Sequence, residues 1–153
     1  MLLGKVFINI NQKIKSIKFN NIQFNSKDCK PNDIFFAIKG KNINGNNYIN
    51  NAIHNGAKII VSNLKFEGFD KNKILFIHNK NPRKLLSKVA SLFFKLKPSN
   101  IIGVTGTNGK TSIANFYYQI LNLNKKKVAA IGTLGVLSKK FSLKTNNTTL
   151  DPL

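Results

Sequence analysis

A β-branched run, Ile101-Ile102-Gly103-Val104-Thr105, leads into the glycine-bounded loop Gly106-Thr107-Asn108-Gly109-Lys110-Thr111. A helical pattern follows at once, with Ile113, Phe116, Tyr117, Ile120 and Leu121 on one face. This order, strand then loop then helix, allows few architectures. Glycines let backbone N–H groups turn inward around an anion, and the helix aims its N-terminus at the same point. Lys110 adds a cation, and Thr111 and Ser112 add hydroxyls at the start of the helix. Lysine next to a hydroxyl in that place suits nucleotide phosphates and Mg²⁺. The pattern is offset from the usual phosphate loop. Counting back from Gly109, the first glycine of that loop would fall at Val104, and Gly103 lies one residue too early.

The preceding residues read as a small α/β unit. Ile34-Phe35-Phe36-Ala37-Ile38 is an apolar run bounded by Pro31-Asn32-Asp33 and Gly40, which predicts a buried strand. Residues Tyr48 to Ile53 carry apolar positions at helical spacing, and Gly56 is a helix stop. Strands are expected at Lys58–Ser62 and Ile74–Ile77, so strand, helix and strand form a parallel unit. Asn81 and Pro82 open a helix whose stripe is Leu85, Leu86, Val89, Ala90, Phe93 and Phe94. Lys97, Pro98 and Ser99 end it, giving an expected boundary between residues 1–98 and 99–153. After the loop helix, Val128–Ile131 reads as a strand broken by Gly132 and Gly135.

The net charge of +20 suggests a nucleic-acid partner, but its make-up argues otherwise. Arg83 is the only arginine, and base-reading surfaces favour arginine for its bidentate fork. Lysine, asparagine, isoleucine and phenylalanine all have A/T-rich codons, so base bias in the genome accounts for the excess. No apolar run approaches the roughly 20 residues that span a bilayer, and no secretory leader pattern follows Met1. The single cysteine, Cys29, excludes an internal disulfide and lacks a histidine partner in sequence for nucleophilic work. A cytoplasmic, monomeric protein without a membrane partner is expected. His54 and His78 read as surface residues.

The segment Thr105 to Ser112 closely resembles the ATP loop of the Mur ligases and the folylpolyglutamate synthetases, which share its offset. Asn25-Ser26-Lys27 resembles the "(D)SR" turn of the Mur ligases, with Lys27 in place of arginine. Pro31 to Gly40, continuing through Asn44-Gly45 to Tyr48-Ile49, resembles their "PGDLFVAIKG…DGHDFI" segment, and Ala57–Val61 the strand after it. Ile131-Gly132-Thr133 and Thr145-Asn146-Asn147-Thr148-Thr149-Leu150-Asp151-Pro152-Leu153 resemble the members that add the third residue of the peptide stem. Asn81-Pro82-Arg83 resembles the family's amino-acid-recognition motif but lies far too early, and a capped helix start explains it.

The resemblance implies a small N-terminal Mur-ligase α/β domain, followed by the truncated start of a P-loop ATPase-like parallel α/β domain. It implies ATP-dependent amide formation on UDP-N-acetylmuramoyl-dipeptide, with an amino acid (diaminopimelate or lysine) as the second substrate. Gly106, Thr107, Asn108, Gly109, Lys110, Thr111 and Ser112 would hold ATP. Lys110 and Thr111 would be catalytic, and Thr111 would ligate Mg²⁺. Phe24, Ser26, Lys41, Asn42 and Ile43 fall where the family contacts the uridine nucleotide. Asn147, Thr148 and Thr149 fall where it contacts the muramoyl peptide. The family's later ATPase carboxylates, modified lysine and C-terminal amino-acid-binding domain have no counterpart in these residues. The chain is therefore expected to be a fragment or truncated remnant that does not complete the reaction alone. The competing readings are a non-catalytic nucleotide-binding module, a folylpolyglutamate synthetase-like ligase and a basic nucleic-acid-binding protein.

Overall fold

A computed structural model describes residues 1–7, 10–40 and 43–145. The chain divides into two compact units, with the change at Lys97 and Pro98.

The first unit is built on a five-stranded sheet. Its strands are β1 (Ile22–Gln23), β2 (Ile34–Phe36), β3 (Ile59–Ser62), β4 (Gly68–Phe69) and β5 (Leu75–His78). They lie in the order β1-β2-β3-β5-β4, all pairs parallel except the edge pair β4–β5. Helix α1 (Ile49–His54) links β2 to β3, as the sequence pattern requires, and α2 (Pro82–Phe93) follows β5. Side chains alternate across a strand. Ile34, Phe36, Ile59, Val61, Leu75 and Ile77 therefore pack in one cluster with Leu86, Val89 and Ala90 of α2, and with Leu3, Val6, Phe7 and Phe19. Phe35, Ala37 and Ile60 face the other way and pack with Ile49 and Ala52 of α1, Cys29, Ala57 and Ile74. Both faces of the sheet are covered, which is why β2 and β3 read as unbroken apolar runs.

Local chemistry fixes the turns. The Asn81 side chain accepts from the Lys84 N–H at 3.0 Å, and Pro82 sits in the first turn of α2. Helix α1 ends at Asn55 and Gly56; Gly56 takes φ +110°, and a Cβ there would lie 2.7 Å from the Pro31 nitrogen. The strands β1 and β4 were not expected from the sequence. Each has two residues, too few to show a period. Asp70 makes the β4–β5 turn, its Oδ1 accepting from Asn72 and Ile74 N–H groups at 2.9 and 2.8 Å.

The second unit contains α3 (Lys110–Leu123) and a three-stranded sheet of β6 (Ala129–Gly132), β7 (Gly135–Ser138) and β8 (Ser142–Leu143). Both pairings are antiparallel. Here the structure corrects two readings of the sequence. Ile101–Thr105 was expected to be a strand, but the run joins no ladder among the described residues. Ile101 and Ile102 are 84% and 60% exposed. β-branched residues favour extended backbone, yet a strand exists only with a neighbour to receive its hydrogen bonds. Gly132 and Gly135 do not simply end a strand either. They pair with each other across the turn at Thr133 and Leu134, joining β6 to β7. Gly135 has φ +91°, and a Cβ would meet the Leu143 carbonyl oxygen at 2.1 Å. No helix among the described residues is long and apolar enough to cross a membrane.

Candidate functional site

The loop before α3 has the backbone of an anion cradle. Gly109 occupies the N-cap of α3 in the left-handed region, φ +76° and ψ −6°, and no side chain caps the helix. Gly106 has φ +146°. Glycine adopts these angles without a Cβ penalty, and no atom lies within 4 Å of where a Cβ of Gly109 would be. The first N–H groups of α3 thus keep no side-chain partner and face solvent, with the positive end of the helix dipole behind them. The Lys110 ammonium folds back over the loop. Its Nζ donates to the Gly106 carbonyl and, at 3.0 Å, to the Thr107 carbonyl. Residues 106 to 112 are all exposed. Thr111 stands in the first turn, with its Oγ1 3.5 Å from Oγ1 of Thr133 in the β6–β7 turn. In sequence, Thr133 stands only as part of the family-like Ile131-Gly132-Thr133 segment; its place beside Thr111 depends on the β6–β7 turn.

The uridine-side candidates sit in the first unit, after neighbouring parallel strands. Phe24 and Ser26 follow β1, and Ile43 lies in the loop after β2. Both segments leave the carboxyl ends of their strands, the end of an open α/β sheet on which ligands bind. Phe24 and Ile43 are 37% and 60% exposed, whereas Ser26 is only 5% exposed. Asn25 builds the Ser26 turn: its Oδ1 accepts from the Lys27 N–H at 3.2 Å and its Nδ2 donates to Asp28 at 2.8 Å. The loop after β2 is closed by Gly40 N–H donating to the Ile43 carbonyl at 2.7 Å. Gly45 then lies so close to the chain that a Cβ would be 2.5 Å from the Ile38 nitrogen. Lys41, Asn42, Asn147, Thr148 and Thr149 lie outside the described residues.

The remaining chemistry-bearing residues have structural settings. Burial, then the carboxylates of Asp33 and Asp28, push the Cys29 thiol up to about 11. Cys29 is therefore a thiol at neutral pH and a poor nucleophile. His78 Nδ1 lies 2.8 Å from the Leu64 carbonyl, and His54 falls in the last turn of α1. The described residues contain no group of three or more His, Cys, Asp or Glu able to hold a metal ion.

A doubly covered parallel α/β unit, followed by a helix that opens on an offset glycine–lysine loop, is the arrangement of a nucleotide-binding α/β protein. The pattern of the "Mur ligase family, catalytic domain" matches residues 18–107, and that of the "Mur ligase middle domain" matches residues 104–153. The chain belongs to the Mur ligase family. Its curated relatives include the UDP-N-acetylmuramoyl-L-alanyl-D-glutamate--2,6-diaminopimelate ligase of Rickettsia prowazekii, 39% identical over 128 residues covering 84% of this chain and 26% of the relative. The protein of that name from Clostridioides difficile is 38% identical over 154 residues, covering 97% and 30%. The chain thus spans between a quarter and a third of the length of these relatives. Among solved structures, the MurF ligase of Thermotoga maritima in complex with ADP superposes with a TM-score of 0.55 at 30% identity, covering 70% of this chain and 24% of that one. A UDP-N-acetylmuramoyl-L-alanyl-D-glutamate--2,6-diaminopimelate ligase shares the fold, with a TM-score of 0.71 at 22% identity over 99% of this chain and 31% of the other.

Proposed function

We propose that this chain supplies the nucleotide-sugar grip and the opening of the ATP grip of a peptidoglycan-precursor ligase. Residues 1–98 take the UDP-substrate and residues 99–153 the ATP phosphates. The reaction joins a third amino acid to UDP-N-acetylmuramoyl-L-alanyl-D-glutamate. ATP passes its γ-phosphoryl group to a substrate carboxylate oxygen and leaves as ADP. The amine then attacks the acyl carbon, phosphate departs, and the amide nitrogen loses a proton. The relatives' names favour diaminopimelate over lysine as the amine. A monomeric, cytoplasmic enzyme goes with this reading.

Gly106, Thr107, Asn108, Gly109, Lys110, Thr111 and Ser112 hold ATP in this scheme. The Lys110 ammonium, gathered over the loop by two carbonyls, turns to the phosphates and offsets charge on the group in transfer. The donor set suits Mg²⁺, which takes few protein ligands and fills its shell with phosphate oxygens and water. Thr111 Oγ1 offers one hard oxygen, and Thr133 Oγ1 beside it can accept a hydrogen bond from the Thr111 hydroxyl. When bound, the ion would draw charge from the phosphoryl oxygens. Phe24, Ser26, Lys41, Asn42 and Ile43 form the uridine side, and Asn147, Thr148 and Thr149 contact the muramoyl peptide.

What carries the reading is the left-handed Gly109 at the head of α3, with Lys110 and Thr111 in the turn it opens. Titration with a fluorescent ATP analogue in the presence of Mg²⁺ tests it. A charge-assisted contact contributes about 1.5–3 kcal/mol, so Lys110→Ala should bind at least about tenfold more weakly. Equal affinity of the two proteins would sink the assignment.

A further inference from the structure

Ser26 is 5% exposed, and its hydroxyl bonds no described residue without being a buried atom left unpartnered. Its carbonyl, by contrast, is held from far along the chain: Asn55 Nδ2 donates to Ser26 O at 2.9 Å across 29 residues. The helix end does not require asparagine at position 55. The Asn55 backbone N–H already bonds the Asn51 carbonyl at 3.0 Å, and the left-handed position belongs to Gly56. Nor is the amide needed to join the two segments, because Asn32 N–H donates to the Gly56 carbonyl at 3.0 Å. The Asn55 side chain therefore has one visible task, which is to fix the peptide plane that follows Ser26. Anchoring that carbonyl holds the backbone of the turn against the end of α1, and with it the position of the Cα that carries the Ser26 hydroxyl.

We infer that Asn55 is a positioning residue that orients the Ser26 turn toward the uridine nucleotide; this rests on the reading of Ser26 as a nucleotide contact. Asn55 does not touch the ligand in this scheme. It acts through the Ser26 carbonyl, so replacing its donor should weaken nucleotide binding without unfolding the unit.

The test is calorimetric titration of the 153-residue chain with UDP, alongside Ser26→Ala, Asn55→Asp and Asn55→Ala. Asn55→Asp keeps the shape but sets an acceptor against an acceptor. Asn55→Ala removes the amide alone, and decides the matter should the aspartate variant not fold. The loss of one hydrogen bond corresponds to about a fivefold change and sets the most that ordering the turn can add to affinity, so both Asn55 variants should bind UDP more weakly, by no more than about fivefold. Their affinity for the fluorescent ATP analogue should be unchanged. Asn55→Gln, which keeps the donor on a longer arm, should recover part of the loss. If the wild-type chain shows no saturable UDP binding, or Ser26→Ala binds as well as wild type, the reading of Ser26 falls and the role of Asn55 falls with it. If Ser26→Ala is impaired while Asn55→Ala keeps wild-type UDP affinity, the role of Asn55 alone is overturned. A lower urea midpoint with unchanged UDP affinity overturns it too, since Asn55 would then be only a structural tie.

Discussion

Helices α2 and α3 carry similar apolar stripes, yet one lies in a core and the other does not. In the first unit, Leu86 and Val89 of α2 are fully buried against Ile34, Phe36, Ile59 and Val61. In the second, Ile113, Phe116 and Ile120 of α3 are 57%, 60% and 57% exposed, and no residue of α3 is buried. The difference is not in the helices but in what lies beneath them. Four parallel strands, two of them buried along their whole length, support α2; among the described residues α3 lies chiefly beside β6. An amphipathic stripe states which face a helix wants covered, and the cover must come from elsewhere in the chain or from another chain. The loop before α3 needs no such cover, because its shape depends on backbone angles at Gly106 and Gly109.

The sharpest way to break this comparison is to truncate matching apolar residues. Leu86→Ala should destabilise the first unit by about 3 kcal/mol, since it removes a fully buried side chain and leaves a cavity. Phe116→Ala should change stability by less than about 0.5 kcal/mol, because the ring is mostly in solvent already. Urea unfolding followed by circular dichroism measures both. A large cost at Phe116 would mean that α3 is packed after all.

A smaller effect separates two glycines. Gly45→Ala puts a Cβ 2.5 Å from the Ile38 nitrogen and 2.7 Å from its carbonyl oxygen. Backbone cannot yield as a flexible side chain can, so the cost should be about 1–3 kcal/mol, with the loop carrying Ile43 displaced. Gly103 has nothing within 4 Å of its would-be Cβ, and Gly103→Ala should be close to neutral. Equal thermal midpoints for the two variants would contradict the packing of Gly45 against β2's end.

The legible parts of this molecule are those whose cause is local. Asn81 and Pro82 announce the start of α2, and the apolar runs at Ile34 and Ile59 announce strands covered on both faces. The loop from Gly106 to Lys110 was legible for the same reason: its glycines sit where left-handed angles are needed. The misread parts depend on partners distant in sequence. Ile101–Thr105 has the residues of a strand and no ladder, while Ile22–Gln23 has almost no pattern and gains a ladder from β2. The turn that brings Thr133 to Thr111 was invisible because Gly132 and Gly135 signal a break equally well whether a strand stops or folds back. Nothing in the sequence singles out Asn55 beside the helix stop at Gly56; only the fold sets it against Ser26.

The smallest predicted effect concerns how the two helices begin. Helix α2 is capped by a side chain, since Asn81 Oδ1 takes the Lys84 N–H. Helix α3 has a glycine there and no side-chain cap, so its first N–H groups remain available. A cap stabilises its helix but competes with any anion for those same groups. Asn81→Ala should therefore cost about 1 kcal/mol, read as a lower urea midpoint for the first unit. Gly109→Asn should show the opposite trade. Asparagine tolerates the left-handed angle of Gly109 better than other residues, and its side chain could reach into the space where phosphates are expected. The variant should keep the helix and weaken the ATP analogue. If it bound the analogue as tightly as wild type, the open N-terminus of α3 would not be the feature that distinguishes the two helices.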